Sequence, residues 1–148
     1  MAFRYLYNMK SKEELLAIAH QMNKNTMMEV LGVEYLDVQE GYIEAKMPVD
    51  KRTHQPVGLL HGGASAALVE TLGSLGSAML VDPNEFNVTG IEVNCNHIRG
   101  IRDGFVIGKA KMVHRGKTMH LWQTDIFNEQ NELIATGKLT VLVIPKKK

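Results

Sequence analysis

At 148 residues the chain is long enough to bury about two thirds of its unfolded surface as a single domain spanning 1–148. Seventeen Lys and Arg against sixteen Asp and Glu leave a net charge of +1, so no global field favours a nucleic acid partner. The one cysteine, Cys95, excludes an internal disulfide and a cysteine zinc site. With charges at Arg4, Lys10, Lys12, Glu13 and Glu14 instead of an apolar signal core, the expected location is the cytoplasm.

Residues 11–31 read as helix, with Ser11 as N-cap, Glu13 and Glu14 in the first turn, and Leu15, Ile18, Ala19 and Met22 as an apolar stripe. A break is expected at Asn23 to Thr26, and Gly32 ends the second piece. Residues 33–38 and 42–49 form a hairpin around Glu40 and Gly41, and 50–60 is a loop with Pro56 and Gly58 that delivers His54 and Gln55 to the next element. That element, 62–81, is a long apolar helix whose one charge is Glu70. At about 100° per residue, Leu68, Leu72, Leu75 and Met79 share one face, while Gly63, Ala66, Ala67, Gly73, Ser74 and Ser77 surround Glu70 on the other. The span has membrane length, but Glu70 and the interior Gly63, Gly73 and Gly76 fit a helix buried in protein, so no membrane association is expected.

After a stop at Asp82-Pro83-Asn84, four strand-like runs follow at 87–99, 105–114, 119–128 and 132–144. Their connections are of hairpin length, which predicts a mainly antiparallel sheet. One long helix and about six strands give an α+β class, with the sheet curled around the helix. Lys146, Lys147 and Lys148 read as a solvated tail.

Gly62 and Gly63 open the central helix with amides that a ligand can approach closely, at the end of the helix dipole that favours negative charge. Gln55 and His61 supply hydrogen-bond donors nearby, and Glu70 supplies a carboxylate; oxyanion donors with a base or nucleophile are an acyl-transfer set. Gly62 and Glu70 lie eight positions apart, roughly 12 Å along one helix, so both reach one carbonyl only if a second copy of the helix runs antiparallel beside the first. The turn His114-Arg115-Gly116-Lys117-Thr118 offers two cations and open backbone amides for a phosphate, and His97 and Arg99 end the preceding strand in a similar way. Ser65 lacks the last glycine of a nucleophile elbow. His20, His54, His61, His97, His114 and His120 lack paired metal-ligand spacing, so no metal is expected.

Residues 52–65, continuing to Glu70 and Gly73-Ser74, resemble the hotdog-fold acyl-CoA thioesterases of the phenylacetate and 4-hydroxybenzoyl-CoA thioesterase type, most nearly the 1,4-dihydroxy-2-naphthoyl-CoA hydrolase branch. The likeness continues through Gly90-Ile91-Glu92-Val93-Asn94, Asn96-His97-Ile98-Arg99, His114 to Lys117, and Trp122. The resemblance implies that Glu70 is nucleophile or general base, that the Gly62 amide polarises the thioester carbonyl, that Gln55 and His61 position it, and that Ser74 orients water. It further implies that Gly90, His97, Ile98, Arg99, His114, Arg115, Gly116, Lys117 and Thr118 line the coenzyme A path. Lys117 stands where the family commonly carries Arg, keeping the charge but not the bidentate geometry. The implied assembly is a homodimer with shared sites, paired into a tetramer. The only cofactor-like group is the coenzyme A of the substrate. The remaining alternatives are a non-catalytic acyl-CoA binder and a hydratase; the latter expects a His five residues after an Asp, a spacing absent here.

Overall fold

The computed structural model describes residues 10–147; the first nine residues of the expected domain, and Lys148 of the lysine run, lie outside it. The chain runs α1 (Lys12–Asn23), α2 (Met27–Leu31), β1 (Glu34–Gln39), β2 (Tyr42–Pro48), α3 (Gly62–Ala78), β3 (Phe86–His97), β4 (Phe105–Arg115), β5 (Met119–Asn128) and β6 (Leu133–Pro145).

Local chemistry sets the first boundaries. Ser11 Oγ accepts from the Glu14 amide while the Glu14 carboxylate accepts from the Ser11 amide, a capping box that starts α1. Asn25 takes a positive φ of 59° at the break, the Thr26 hydroxyl caps α2, and Gly32 ends it in the left-handed region at φ 73°. The expected stripe holds at Leu15 and Ala19, which are buried, but Met22 is exposed.

All strand pairs are antiparallel, in the order β1-β2-β4-β5-β6-β3. The expected hairpin between the third and fourth strands is therefore corrected: β3 pairs with β6 at the far edge, with β5 and β6 between it and β4. The connection 98–104 must cover about three strand spacings, roughly 14 Å, which its length allows. It is tied to the 50–60 loop that precedes α3. The Leu60 amide donates to the Ile101 carbonyl, the Arg102 guanidinium donates to the Val57 carbonyl, and His54 Nε2 lies 2.8 Å from the Arg102 carbonyl.

The sheet curls around α3, burying Leu68, Leu72, Leu75 and Met79 against Trp122, Ile126 and Leu139. The helix ends at Ala78, with Met79 as C-cap, three residues before the expected end. A second correction concerns its open face. Gly73 and Ser77 are buried: a Cβ on Gly73 would lie 2.7 Å from Leu139, and one on Gly76 would lie 2.4 Å from Trp122. The absent side chains make room for the indole. Ser77 Oγ accepts from Trp122 Nε1 and bonds His120 Nδ1, fastening helix to sheet. The open stripe is thus narrower than the sequence predicts, running through Gly63, Ala66, Ala67, Glu70, Thr71, Ser74 and Ala78.

Candidate active site

The site is built first at the N-terminus of α3. His61 is the N-cap, with Nδ1 accepting from the Gly63 amide at 2.7 Å, so the exposed imidazole is engaged in holding the helix end. This fixes which amide is left. Among the described residues the Gly62 N–H has no acceptor, as the geometry of a first helical residue dictates. The imidazole from the end of β3 lies against this backbone: a Cβ on Gly62 would lie 2.6 Å from His97 Nε2, so a side chain there would require the exposed His97 to shift.

Around this amide is a cleft of about 320 Å³ lined by Gln55, Gly62, His97, Ile98 and Arg99 of the predicted set, together with Leu59, Leu60 and the buried Ser65. The hydrogen bonds between 98–104 and the 50–60 loop hold these distant positions together. Gln55 Oε1 accepts from the Val57 amide at 2.7 Å, which leaves its Nε2 as the free, donating end. Arg99 is ion-paired with Glu132.

Glu70 lies elsewhere. Two turns further along α3, it lines a separate cleft of about 400 Å³ with Ser74, Thr71 and the apolar Met22, Met28, Leu75 and Val88. Ser74 Oγ donates to Glu70 Oε1 at 2.9 Å, an i,i+4 contact that holds the carboxylate. Gly90 abuts this carboxylate: a Cβ on it would meet Glu70 Oε1 at 2.2 Å. The register of β3 shifts between Gly90 and Glu92, a bulge at the strand edge facing the carboxylate. Gly90 is therefore placed with Glu70 and apart from the turn with which the sequence grouped it.

The turn His114 to Thr118 enters neither cleft. Its residues are exposed except for the half-buried Gly116, and Arg115 is ion-paired with Glu40 at 2.8 Å. It lies near the other end of α3, since the neighbouring His120 bonds Ser77. Burial, with the charges of Arg115 and His114 adding, pushes His120 down to about 4, so it stands neutral in the folded protein. Tyr35, Met22, Met28 and Asn23 are lining residues that the sequence did not flag as functional. In the chain they read as ordinary apolar or turn positions.

Within one chain the open Gly62 amide and Glu70 thus open on two clefts, separated by the rise of the helix. Residues 57–135 match the thioesterase superfamily. The chain belongs to that superfamily. It is 41% identical to a proofreading thioesterase EntH of Klebsiella pneumoniae, over 90% of this chain and 96% of that one. It is 39% identical to a 1,4-dihydroxy-2-naphthoyl-CoA hydrolase of Escherichia coli, over 87% of this chain and 94% of that one. A crystal structure of a mutant thioesterase from Pseudomonas aeruginosa superposes with a TM-score of 0.88 at 37% identity, covering 95% of this chain and 99% of that one. The fold is the hotdog fold of these thioesterases, and the chain is a thioester hydrolase. The superfamily stretch contains Gly62, Glu70, Ser74, Gly90, His97 and Arg115, but it starts after Gln55 and after the α1–α2 segment.

Proposed function

We propose that the protein hydrolyses an acyl-CoA thioester carrying an aromatic or medium-chain acyl group, in sites shared by two chains whose α3 helices run antiparallel. The observation that carries this reading is the open Gly62 amide in one cleft, beside the donating end of Gln55, with the Glu70 carboxylate held by Ser74 in another. The stripe of Gly63, Ala66 and Ala67 between them is small enough for a second helix to approach closely, bringing each Gly62 opposite a partner Glu70.

In such a site the Gly62 N–H and the Gln55 amide would polarise the thioester carbonyl and hold the oxyanion as it forms. The Glu70 carboxylate would act in one of two ways. It attacks the carbonyl carbon to give a mixed anhydride that water then cleaves, or it takes the proton of the attacking water. Either way the carbon–sulfur bond breaks and coenzyme A leaves as the thiolate. His61 supports the helix end whose amide does this work, so its role is positioning.

Antiparallel pairing also gives a reason for the turn at the far end of α3, because it brings the His114 to Thr118 turn of one chain to the side of its partner's Gly62 cleft. Arg115 and Arg99 meet their carboxylate partners on the surface, where an ion pair is worth about 0–1 kcal/mol, so a coenzyme A phosphate competes for them. The test is release of free thiol from a panel of acyl-CoAs. Thiol release that depends on Glu70 supports hydrolysis at this site, whereas saturable acyl-CoA binding with no release would assign the protein as a non-catalytic binder.

A further inference from the structure

The Gly62 cleft holds one buried polar side chain that the proposed reaction does not use. Ser65 is 2% exposed and lies on α3 three positions beyond Gly62, sharing the cleft wall with Leu60, Ile98 and Ile134. Helical side chains tilt toward the N-terminus, so Ser65 stands over the turn that Gly62 begins, about 4.5 Å from it along the axis. Among the described residues its hydroxyl makes no hydrogen bond, yet it is not sealed in the core as the unpartnered Thr124 hydroxyl is. Its small remaining surface belongs to the cleft.

The other donors around this cleft are already engaged. The Gly62 amide and Gln55 Nε2 are assigned to the carbonyl, and Arg99 is ion-paired with Glu132. His97 is exposed, with Nδ1 3.9 Å from Cys95 Sγ. Ser65 is no nucleophile, because among the described residues no imidazole or carboxylate takes its proton. One atom of the reaction, meanwhile, has no partner. When the carbon–sulfur bond breaks, the sulfur takes the electron pair, and nothing assigned so far meets that charge. Sulfur and oxygen share one carbon, so a carbonyl held at Gly62 keeps its sulfur within a helical turn of that amide, where Ser65 stands.

We propose that the Ser65 hydroxyl donates to the thioester sulfur and steadies the thiolate as it leaves. This rests on the Gly62 amide holding the carbonyl. Ser65 keeps its own proton, since an alkoxide would be less stable than the thiolate it serves, and solvent protonates the thiolate after release. Leu60, Ile98 and Ile134 lower the local polarity, which strengthens such a bond. The first turn of α3 then serves both poles of the thioester, its amide the oxygen and its hydroxyl the sulfur.

The test compares three benzoyl thioesters, those of coenzyme A, N-acetylcysteamine and 4-nitrothiophenol, in wild type, Ser65→Ala and Glu70→Gln. The first two release an alkyl thiolate and differ in the nucleotide; the third releases a far weaker base that needs little help. Ser65→Ala is expected to lose about 10- to 100-fold in kcat on both alkyl thioesters, the range for a hydrogen bond to a charged group, but about threefold or less on the aryl one. Ser65→Cys, of similar shape with a weaker donor, should fall between and serves if the alanine variant is unstable. An equal loss on all three would make Ser65 a packing residue, and a loss confined to the coenzyme A ester would move its contact to the nucleotide. Either result, or no loss at all, overturns the proposal. Selective loss in Ser65→Ala with Glu70→Gln still fully active would uphold Ser65 and reject the carboxylate. Glu70-dependent hydrolysis without that selectivity would do the reverse, and no hydrolysis by wild type would overturn both.

Discussion

Glu70 stands at one end of a short chain of contacts, with Ser74 donating to it and Gly90 leaving the space it occupies. Replacing it with Gln keeps the shape and removes the acid–base group, so Glu70→Gln is expected to fold normally and lose roughly 10²- to 10⁴-fold in kcat. Wild-type kcat in the purified variant, on any acyl-CoA that wild type cleaves well, would dismiss the assignment. The cations of the 114–118 turn should behave differently, because phosphates do not change during hydrolysis. Arg115→Ala with Lys117→Ala is expected to raise KM with little effect on kcat, and less so for thioesters that lack the nucleotide. Identical KM values on coenzyme A thioesters would leave the segment as a plain β-turn. At this scale the sequence was informative wherever a residue type has few other uses, as with a lone carboxylate on an apolar helix. It was silent on Tyr35, because an aromatic residue in a strand reads as core whether or not it lines a cleft. It gave no sign that Gly90 abuts Glu70, a contact visible only once the carboxylate is seen against it.

The docking of α3 onto the sheet is where packing and titration meet. Gly76 has no room for a Cβ beside Trp122, so Gly76→Ala is expected to destabilise by about 1–3 kcal/mol through overpacking, read as a lower urea midpoint with an unchanged m-value. His120, neutral in the fold and bonded to Ser77, gives this contact a pH dependence. Its folded value of about 4 lies below the ordinary 6.5, so the unfolded chain takes up the proton first as the pH falls. The stability contributed is complete above about pH 6.5 and is lost between there and about pH 4, amounting to about 3 kcal/mol. Denaturant titrations at pH 7 and 4.5 should show a smaller acid loss in His120→Gln than in wild type; equal losses would mean that His120 is not held neutral. Periodicity and turn residues made the helices and strands legible, since each is a local pattern. The neighbours of β3 were not legible, because loop length limits how far a chain travels without saying which strand it joins. The width of the packed face of α3 was hidden for a related reason. A glycine or serine at helical spacing looks the same whether it faces a gap or, like Gly73 and Ser77, the sheet.

For the molecule as a whole, one helix carries the open amide and the carboxylate eight positions apart, about 12 Å along its axis, and the two clefts around them are separate. The central claim is that two chains complete each site. It is tested most directly by mixing two inactive variants, Glu70→Ala and Gly62→Pro. Proline suits a first helical turn, and the atoms nearest a Cβ at that position belong to the exposed side chain of His97. Gln55→Ala serves as a second partner for Glu70→Ala should the proline disturb the fold. Co-refolded one to one, half the dimers are mixed, and in each mixed dimer one site receives both lesions while the other receives none. With shared sites, activity should rise from near zero toward about a quarter of the wild-type specific activity. No recovery, in a mixture that mass spectrometry shows to contain the heterodimer, would mean that each chain holds a whole site, contradicting the account.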